Sequence, residues 1–396
     1  MIYKDLVIVP FHDYKKWLNE GFRTRDAHIF EHIQKKTDKK ILVINRPVSL
    51  AEFLFKRQDW KTKIGTTIFK GNSWQIKEIY NNVFVLDIFI WDFFRPLLEK
   101  KRWWNTCFTY QKTNDIIQNA ISSLHFENEV FILQNPMSIG IIRKMKVNNF
   151  IFDAIDNWAF HPQMKKISNI VREYYDYIDK NAKAITTVSE SLLSVFPNNK
   201  NKYWIPNGVD IEFFQTNGIN NKNDFFNIGY VGKIQDRIDF DLVEECLRYF
   251  NYCNFFFYGP IYGEHQRIIE LKNKYKNVFF KGDIHYSKLP LIMQTFSVAI
   301  MPHKINSFTE SMNPLKIYEY LAAGKPVVTT DVAGVQNISD AVFISVNNNH
   351  FITLINNAFS VIKNTDNYSK IVSSSINHIH SWEYKTNQLL EIVEKI

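Results

Sequence analysis

The chain has 396 residues, 45% of them hydrophobic, enough for two cores in domains of about 200 residues each. Three irregularly spaced cysteines, Cys107, Cys246 and Cys253, argue against a disulfide framework or a zinc site and fit a reducing compartment. The net charge of +8 favours anionic partners, but no zinc knuckle, aromatic RNA-binding signature or basic recognition helix points to nucleic acid.

The first apolar run, in MIYKDLVIVPFHDY, is too short for a signal peptide or a spanning helix. The longest later run, 83–94, is broken by Asp87 and Asp92. The expected location is cytoplasmic, at most peripheral on the inner face of a membrane. Residues 6–10, 41–45, 83–90, 130–133, 150–152 and 184–188 read as strands, and 26–35, 113–124 and 165–180 as helices. The second half repeats the rhythm. Strands are predicted at 226–230, 254–258, 278–281, 298–301, 327–329 and 342–345, with helices near 241–248, 264–275 and 289–295. Such alternation predicts an α/β protein with parallel, doubly wound sheets. Residues 215–225 are polar and aperiodic, a surface loop beside a domain boundary near 200–215.

Residues 301–331, MPHKINSFTESMNPLKIYEYLAAGKPVVTTD, carry the densest signal. A helix is expected from about 313 to 323, capped by Asn313, with Pro314 in its first turn and Gly324 at its end. Its N-terminus follows a strand, which suits an anion. Lys316 and Glu319, three apart, project on nearly one face. Standing alone, the segment also fits an ordinary βαβ unit with a surface ion pair.

Glu319 with Gly324-Lys325-Pro326-Val327-Val328 resembles the donor-binding signature of GT-B glycosyltransferases, especially the retaining group 4 type. Thr187-Val188-Ser189-Glu190-Ser191, Ile205-Pro206-Asn207-Gly208-Val209-Asp210, Ile228-Gly229-Tyr230-Val231-Gly232-Lys233 and Ser381-Trp382-Glu383 resemble further landmarks of that family, in its order. The resemblance implies two Rossmann-like domains facing a central cleft, at 1–205 and 206–380, with a helix at 381–396 crossing back to the first. It implies sugar transfer from a nucleotide-sugar donor to a glycan or lipid-linked acceptor in cell-surface polysaccharide synthesis, without a metal or other cofactor. Glu319 would bind the nucleotide ribose.

The residues to examine are those just after strands, namely Gly232, Lys233, Gly259, His303, Lys304 and the 305–316 loop. Gly232 and Gly259 permit close backbone approach, or simply make tight turns. Lys233, Arg237 and Lys316 are candidates to balance a diphosphate, aided by the backbone N–H groups at the 313–316 helix start, and Ser311, Asn313, Pro314 and Leu315 are candidate donor-binding residues. The family pattern has a second acid eight residues before Glu319. That position is Ser311, and Glu310 lies one residue off, so either Glu310 reaches the sugar as a catalytic acid through a shifted loop or Ser311 makes a weaker polar contact. The stretch Gly21-Phe22-Arg23-Thr24-Arg25-Asp26 resembles the loop that reaches the donor phosphates. The alternative is that Arg23 and Arg25 form surface ion pairs with Asp26 or Glu20. Asp156, Asn157 and Trp158, with His161, follow a strand and could contact the acceptor. Asp153 and Asp156 have the wrong spacing for a metal-binding acid motif.

Residues 93–104, FFRPLLEKKRWW, interleave aromatic and basic side chains. They suit an anionic membrane surface, or a core-facing aromatic helix with a solvated basic face. Two other functions share the scaffold: a non-catalytic sugar-binding subunit of a polymer-assembly complex, and a sugar-nucleotide epimerase. The epimerase should carry a dense set of acids and histidines, which is not visible. No G-x-G-x-x-G follows a strand, which argues against a nicotinamide enzyme.

Overall fold

The computed structural model describes residues 4–215 and 227–396, so most of the polar loop expected at 215–225 lies outside the described residues. The chain divides into two compact units. One comprises Met1–Ile205 with Thr386–Ile396, and the other Pro206–Lys385.

The first unit is built on β1 (Leu6–Val9), β2 (Ile41–Ile44), β3 (Val48–Ser49), β4 (Thr66–Lys70), β5 (Trp74–Tyr80), β6 (Val83–Ile90), β7 (Val130–Leu133), β8 (Phe150–Ala154), β9 (Ala184–Thr187) and β10 (Lys202–Trp204). The order is β10-β9-β8-β7-β1-β2-β6-β5-β4, with β3 beside β6. The central strands are unbroken apolar runs, LVIV, ILVI and VFIL, buried along their length as parallel strands covered on both faces must be. The sheet departs from the all-parallel expectation at one edge, where β4 and β5 form an antiparallel hairpin. Asp87, which interrupts the longest apolar run, is fully buried in β6. Its carboxylate accepts from Asn45 Nδ2 at 2.6 Å, Thr62 N–H at 2.6 Å and Gln75 Nε2 at 2.8 Å. A buried carboxylate supplied with donors in this way is tolerated, and it ties the loop after β2 to the sheet.

Residues 93–104 do not form one helix. They split into the helix Phe94–Glu99, a tight turn Lys100–Arg102 and the start of the helix Trp103–Thr109. Trp103 is buried and donates from Nε1 to Glu52 at 3.0 Å, and Trp104 packs 5.3 Å from the Phe11 ring. The Trp103 side chain is spent on the interior, and Trp104 is half-buried against Phe11.

The second unit carries β11 (Asn227–Val231), β12 (Asn254–Tyr258), β13 (Val278–Gly282), β14 (Val298–Met301), β15 (Val327–Thr330) and β16 (Val342–Ser345), all parallel, in the order β13-β12-β11-β14-β15-β16. The helices Phe240–Tyr249 and Asn348–Asn364 pack with Ile228, Phe255, Phe257 and Val328 in one core. The helix Leu315–Ala322 packs with Val231, Ala299, Met301 and Val327 in another. All three cysteines are buried free thiols. Among the described residues no helix is long and apolar enough to cross a membrane.

The helix Leu315–Ala322 starts later than expected, with Pro314 at its cap position and no side-chain cap. Asn313 does not cap it, because its carboxamide is engaged elsewhere. Oδ1 accepts from the Asn207 N–H at 2.7 Å, and Nδ2 lies 3.2 Å from the Tyr318 hydroxyl. The Pro206-Asn207-Gly208 turn is thereby fastened to this helix. The last helix, Trp382–Lys395, begins in the second unit, and from Thr386 its residues belong to the first.

Gly324 ends the helix as expected, at φ +73°, with its N–H bonded to the Leu321 carbonyl at 2.8 Å. An added Cβ would lie 2.6 Å from the Ser369 carbonyl oxygen. Gly324→Ala should therefore cost about 1–3 kcal/mol, read as a lower midpoint in urea unfolding.

Candidate active site

In the second unit the strand order reverses between β11 and β14, the place where open α/β sheets hold ligands. Gly232 and Gly259 follow β11 and β12. At φ +144°, Gly259 lies so close to Gly232 that a Cβ would come 1.8 Å from the Gly232 carbonyl oxygen. Glycine is required there by close backbone approach, and the two strand ends stay bare of side chains.

A polar cluster lies at this reversal. His303, just past β14, is buried, with Nε2 3.3 Å from the Tyr230 hydroxyl. That hydroxyl also bonds the Lys233 carbonyl at 3.2 Å. Burial first, and then the Arg237 charge, hold the His303 pKa well below its usual value. The imidazole is therefore neutral beside a permanent cation. His303 Nδ1 and Arg237 Nε are buried with no hydrogen-bond partner among the described residues. A neutral ring nitrogen and a guanidinium N–H with spare capacity can serve phosphate oxygens or a sugar hydroxyl. Lys304 N–H bonds the Arg237 carbonyl at 2.8 Å, which joins the two segments.

The helix Leu315–Ala322 is pinned to the end of β11. Val231 N–H donates to the Tyr320 hydroxyl at 2.6 Å, which in turn donates to the Val231 carbonyl at 3.3 Å. On this helix Glu319 is fully buried and Lys316 Nζ meets its Oε2 at 2.6 Å. The surface-pair alternative fails, because the carboxylate lies inside the protein. Lys316 Nζ is also 5.9 Å from the Tyr286 ring centre. Pro314 is buried and Leu315 half-buried. Upstream, Thr309–Ser311 form one tight turn. Ser311 is buried with its hydroxyl on the Phe308 carbonyl at 2.9 Å, and Glu310 is exposed.

In the first unit the order reverses between β1 and β7. Past β1, Asp26 clamps the loop by accepting from the His12 N–H at 2.8 Å, with His12 Nδ1 at 3.2 Å. Burial opposes its ionisation, but the charge and hydrogen bonds of His12 outweigh burial and bring the carboxyl to about 2. Arg25 is no surface residue. Its Nε and Nη2 grip Asp153 at 3.0 and 2.9 Å, and Gln134 and Thr186 complete that carboxylate's shell. Asp153 is thus committed inside the sheet. Arg23 bonds Glu20 at 3.0 Å as the ion-pair alternative expects, and Gly21 at φ +79° closes the helix Tyr14–Glu20. Among the described residues no group of three His, Cys, Asp or Glu gathers as a metal site.

After β8, half-buried Asp156 leads to Asn157 and Trp158, both buried. The Trp158 ring stacks on Phe11 at 3.9 Å and on His161 at 4.9 Å. Asn157 Oδ1 and Trp158 Nε1 have no hydrogen-bond partner among the described residues. A flat aromatic stack edged by spare polar atoms suits the apolar face and hydroxyls of a sugar. Sequence reasoning gave Phe11 and Tyr230 no role and named His303 only by its place after a strand. The signal for Phe11 was likewise its place after the first strand.

Residues 226–358 match the family model for glycosyl transferases group 1. The fold is GT-B, carrying a group 1 glycosyltransferase domain. A sequence relative is TuaH of Bacillus subtilis strain 168, whose name assigns it to teichuronic acid biosynthesis as a glycosyltransferase. It is 24% identical over 262 residues, 61% of this chain and 66% of that protein. The chain's matched stretch thus spans just under two thirds of that relative's length. Among solved structures, sucrose-phosphate synthase from Thermosynechococcus elongatus superposes with a TM-score of 0.72 at 12% identity, covering 99% of this chain and 98% of the other. The catalytic domain of starch synthase IV from Arabidopsis thaliana, bound to ADP and acarbose, gives 0.68 at 11% identity, covering 99% of each chain.

His303 yields a signed pH test. Its pKa is 6.5 unfolded and lower when folded, so below 6.5 the unfolded state binds more protons. Stability contributed by the neutral ring is constant above that value and is lost as pH falls through it. His303→Gln should flatten this acid-side loss in urea unfolding followed from neutral pH downward. A parallel loss in both proteins would contradict the assignment.

Proposed function

We propose that this glycosyltransferase domain takes a sugar from a nucleotide-sugar donor and passes it, with retained anomeric configuration, to a glycan or lipid-linked acceptor of cell-surface polysaccharide synthesis. The buried Glu319–Lys316 pair carries the reading. A buried ion pair is weak evidence for stability, but it suits an exchange. Ribose hydroxyls donate to Glu319, and the freed Lys316 ammonium turns to the diphosphate. Arg237, His303 and the bare strand ends at Gly232 and Gly259 supply further contacts, with Lys233 and the backbone of Ser311, Asn313, Pro314 and Leu315 nearby in sequence.

Leaving-group charge grows as the glycosidic bond breaks, so preplaced cations stabilise the transition state more than the ground state. Retention by this route needs no protein nucleophile, and positive side chains let it proceed without a metal. Asp156, Asn157, Trp158 and His161 would hold the acceptor, with Phe11 extending their stacking face. The polysaccharide setting is supported by the name of the Bacillus subtilis relative. The nucleotide donor is supported by the ADP bound to starch synthase IV. The proposed location is the cytoplasm, at most peripheral on the inner face of a membrane.

A second reading, a non-catalytic sugar-binding subunit, has one observation in its favour. The position eight before Glu319 is a buried serine already bonded to the Phe308 carbonyl. Release of nucleoside diphosphate in the presence of acceptor separates the two.

Glu319→Ala should weaken donor binding roughly ten- to a hundredfold by calorimetry, the worth of a hydrogen bond to a charged group. Lys316→Ala should lower kcat more than it raises the donor KM. Glu319→Gln keeps the volume and controls for misfolding, and melting curves are compared throughout. Near-normal kinetics in folded Ala variants would remove this helix from the active site.

A further inference from the structure

The first unit exposes a continuous apolar surface that no part of the proposed reaction uses. It comes from two short helices distant in sequence, Leu50–Phe55 and Phe94–Glu99, which pack against each other. The first helix is fixed from beneath. Ser49 and Glu52 form a capping box at its start, and the buried Glu52 carboxylate takes Arg46 at 2.9 Å and the Trp103 indole at 3.0 Å. With Glu52 inward, Leu54 and Phe55 are left 54% and 65% exposed. On the second helix Pro96 is buried, while Phe94 and Leu98 are 72% and 79% exposed. The Phe55 and Phe93 rings are 5.7 Å apart, and Phe93 lies 5.3 Å from Phe94, so the two helices form one surface. Trp91, 65% exposed, stands at its border against Phe89.

The rim of this surface is basic. Lys56 and Arg57 follow the first helix directly, and Lys100, Lys101 and Arg102 follow the second, all exposed. The nearby acids Asp92 and Glu99 are only half-buried neighbours, and Asp92 accepts the Arg95 N–H at 2.9 Å. Large apolar side chains on top, a tryptophan at the edge and cations around them match the headgroup layer of an anionic bilayer. Hydrocarbon takes the rings and leucines, the indole sits at the boundary, and lysine and arginine meet lipid phosphate. A protein partner matched to this surface would need five acids around a greasy centre, whereas a bilayer supplies both by default.

We propose that this two-helix surface seats the first unit on an anionic lipid bilayer, with Phe55, Phe94 and Leu98 entering the interface. This differs from an anchor within residues 93–104 alone, since Leu50–Phe55 contributes half and Trp103 none. Membrane seating stands independently of sugar transfer, so either can fail without the other.

The test uses the full chain and vesicle flotation. The protein should float with phosphatidylglycerol-containing vesicles, far less with pure phosphatidylcholine, and less as salt rises. Phe94→Ser with Leu98→Ser should lower partitioning about tenfold or more, as should Leu54→Ser with Phe55→Ser. Lys100→Gln and Arg102→Gln should each cost about fivefold. Ile371→Ser, at an exposed apolar residue of the second unit, should change nothing. All are exposed positions, so melting curves should match the parent. Binding should shift tryptophan emission to the blue, less so in Trp91→Phe. Absent flotation, equal binding to both vesicle types or undiminished binding by the serine variants would overturn the proposal. So would a solution dimer that the same serine variants dissociate, since the surface would then belong to a second copy of the chain.

Discussion

One phenol holds the second unit's site together. The Tyr320 hydroxyl occupies both backbone groups of Val231 at the last residue of β11, which locks the helix Leu315–Ala322 to the strand that leads into Gly232. The next strand end, Gly259, presses on Gly232 and fixes it from the other side. Tyr230 points to the opposite core and bonds His303. Adjacent residues of a single strand therefore set the helix that bears Glu319 and the cluster that bears Arg237. Burial raises the Tyr320 phenol far above its usual value, so its proton stays in place throughout the physiological range.

Two of the ion pairs on buried carboxylates serve different ends. Arg25 and Asp153 are closed on each other, with Gln134 and Thr186 using the remaining carboxylate capacity. That arrangement cannot open without leaving several buried groups unsatisfied, and it braces β8 against the helix Arg25–Gln34. Lys316 and Glu319 differ. The lysine is partly exposed while the carboxylate is not, so the cation can leave for solvent or a ligand and the acid must then find another donor. An exchangeable pair of this kind is what ligand hydroxyls can displace.

What the sequence disclosed was local. Lys316, Glu319 and Gly324 lie within nine residues, so helix periodicity and a stop signal were enough to place them. The parallel strands declared themselves as short apolar runs. Contacts between distant residues were not legible. Asn313 looks like a helix cap until Asn207, 106 residues away, claims its oxygen. Arg25 looks like a surface residue until Asp153, 128 away, appears behind it. In the run 93–104 composition could not say which rings face inward; Glu52, 51 residues upstream of Trp103, decides that. The β4–β5 hairpin carried a readable turn signal, Gly71-Asn72 between alternating residues, which the expectation of a wholly parallel sheet obscured.

The buried cysteines give the fold an internal witness to its own integrity. Burial pushes the Cys107 and Cys253 thiols up to about 12, and it raises Cys246 further still. Almost no thiolate exists in the native state, and thiolate is the form that reacts with maleimides or disulfide reagents. Cys107 lies in the first unit, and Cys246 and Cys253 in the second. Each unit thus keeps its sulfur silent while folded and shows it when opened. Labelling stoichiometry reports which unit has come apart, without any engineered probe.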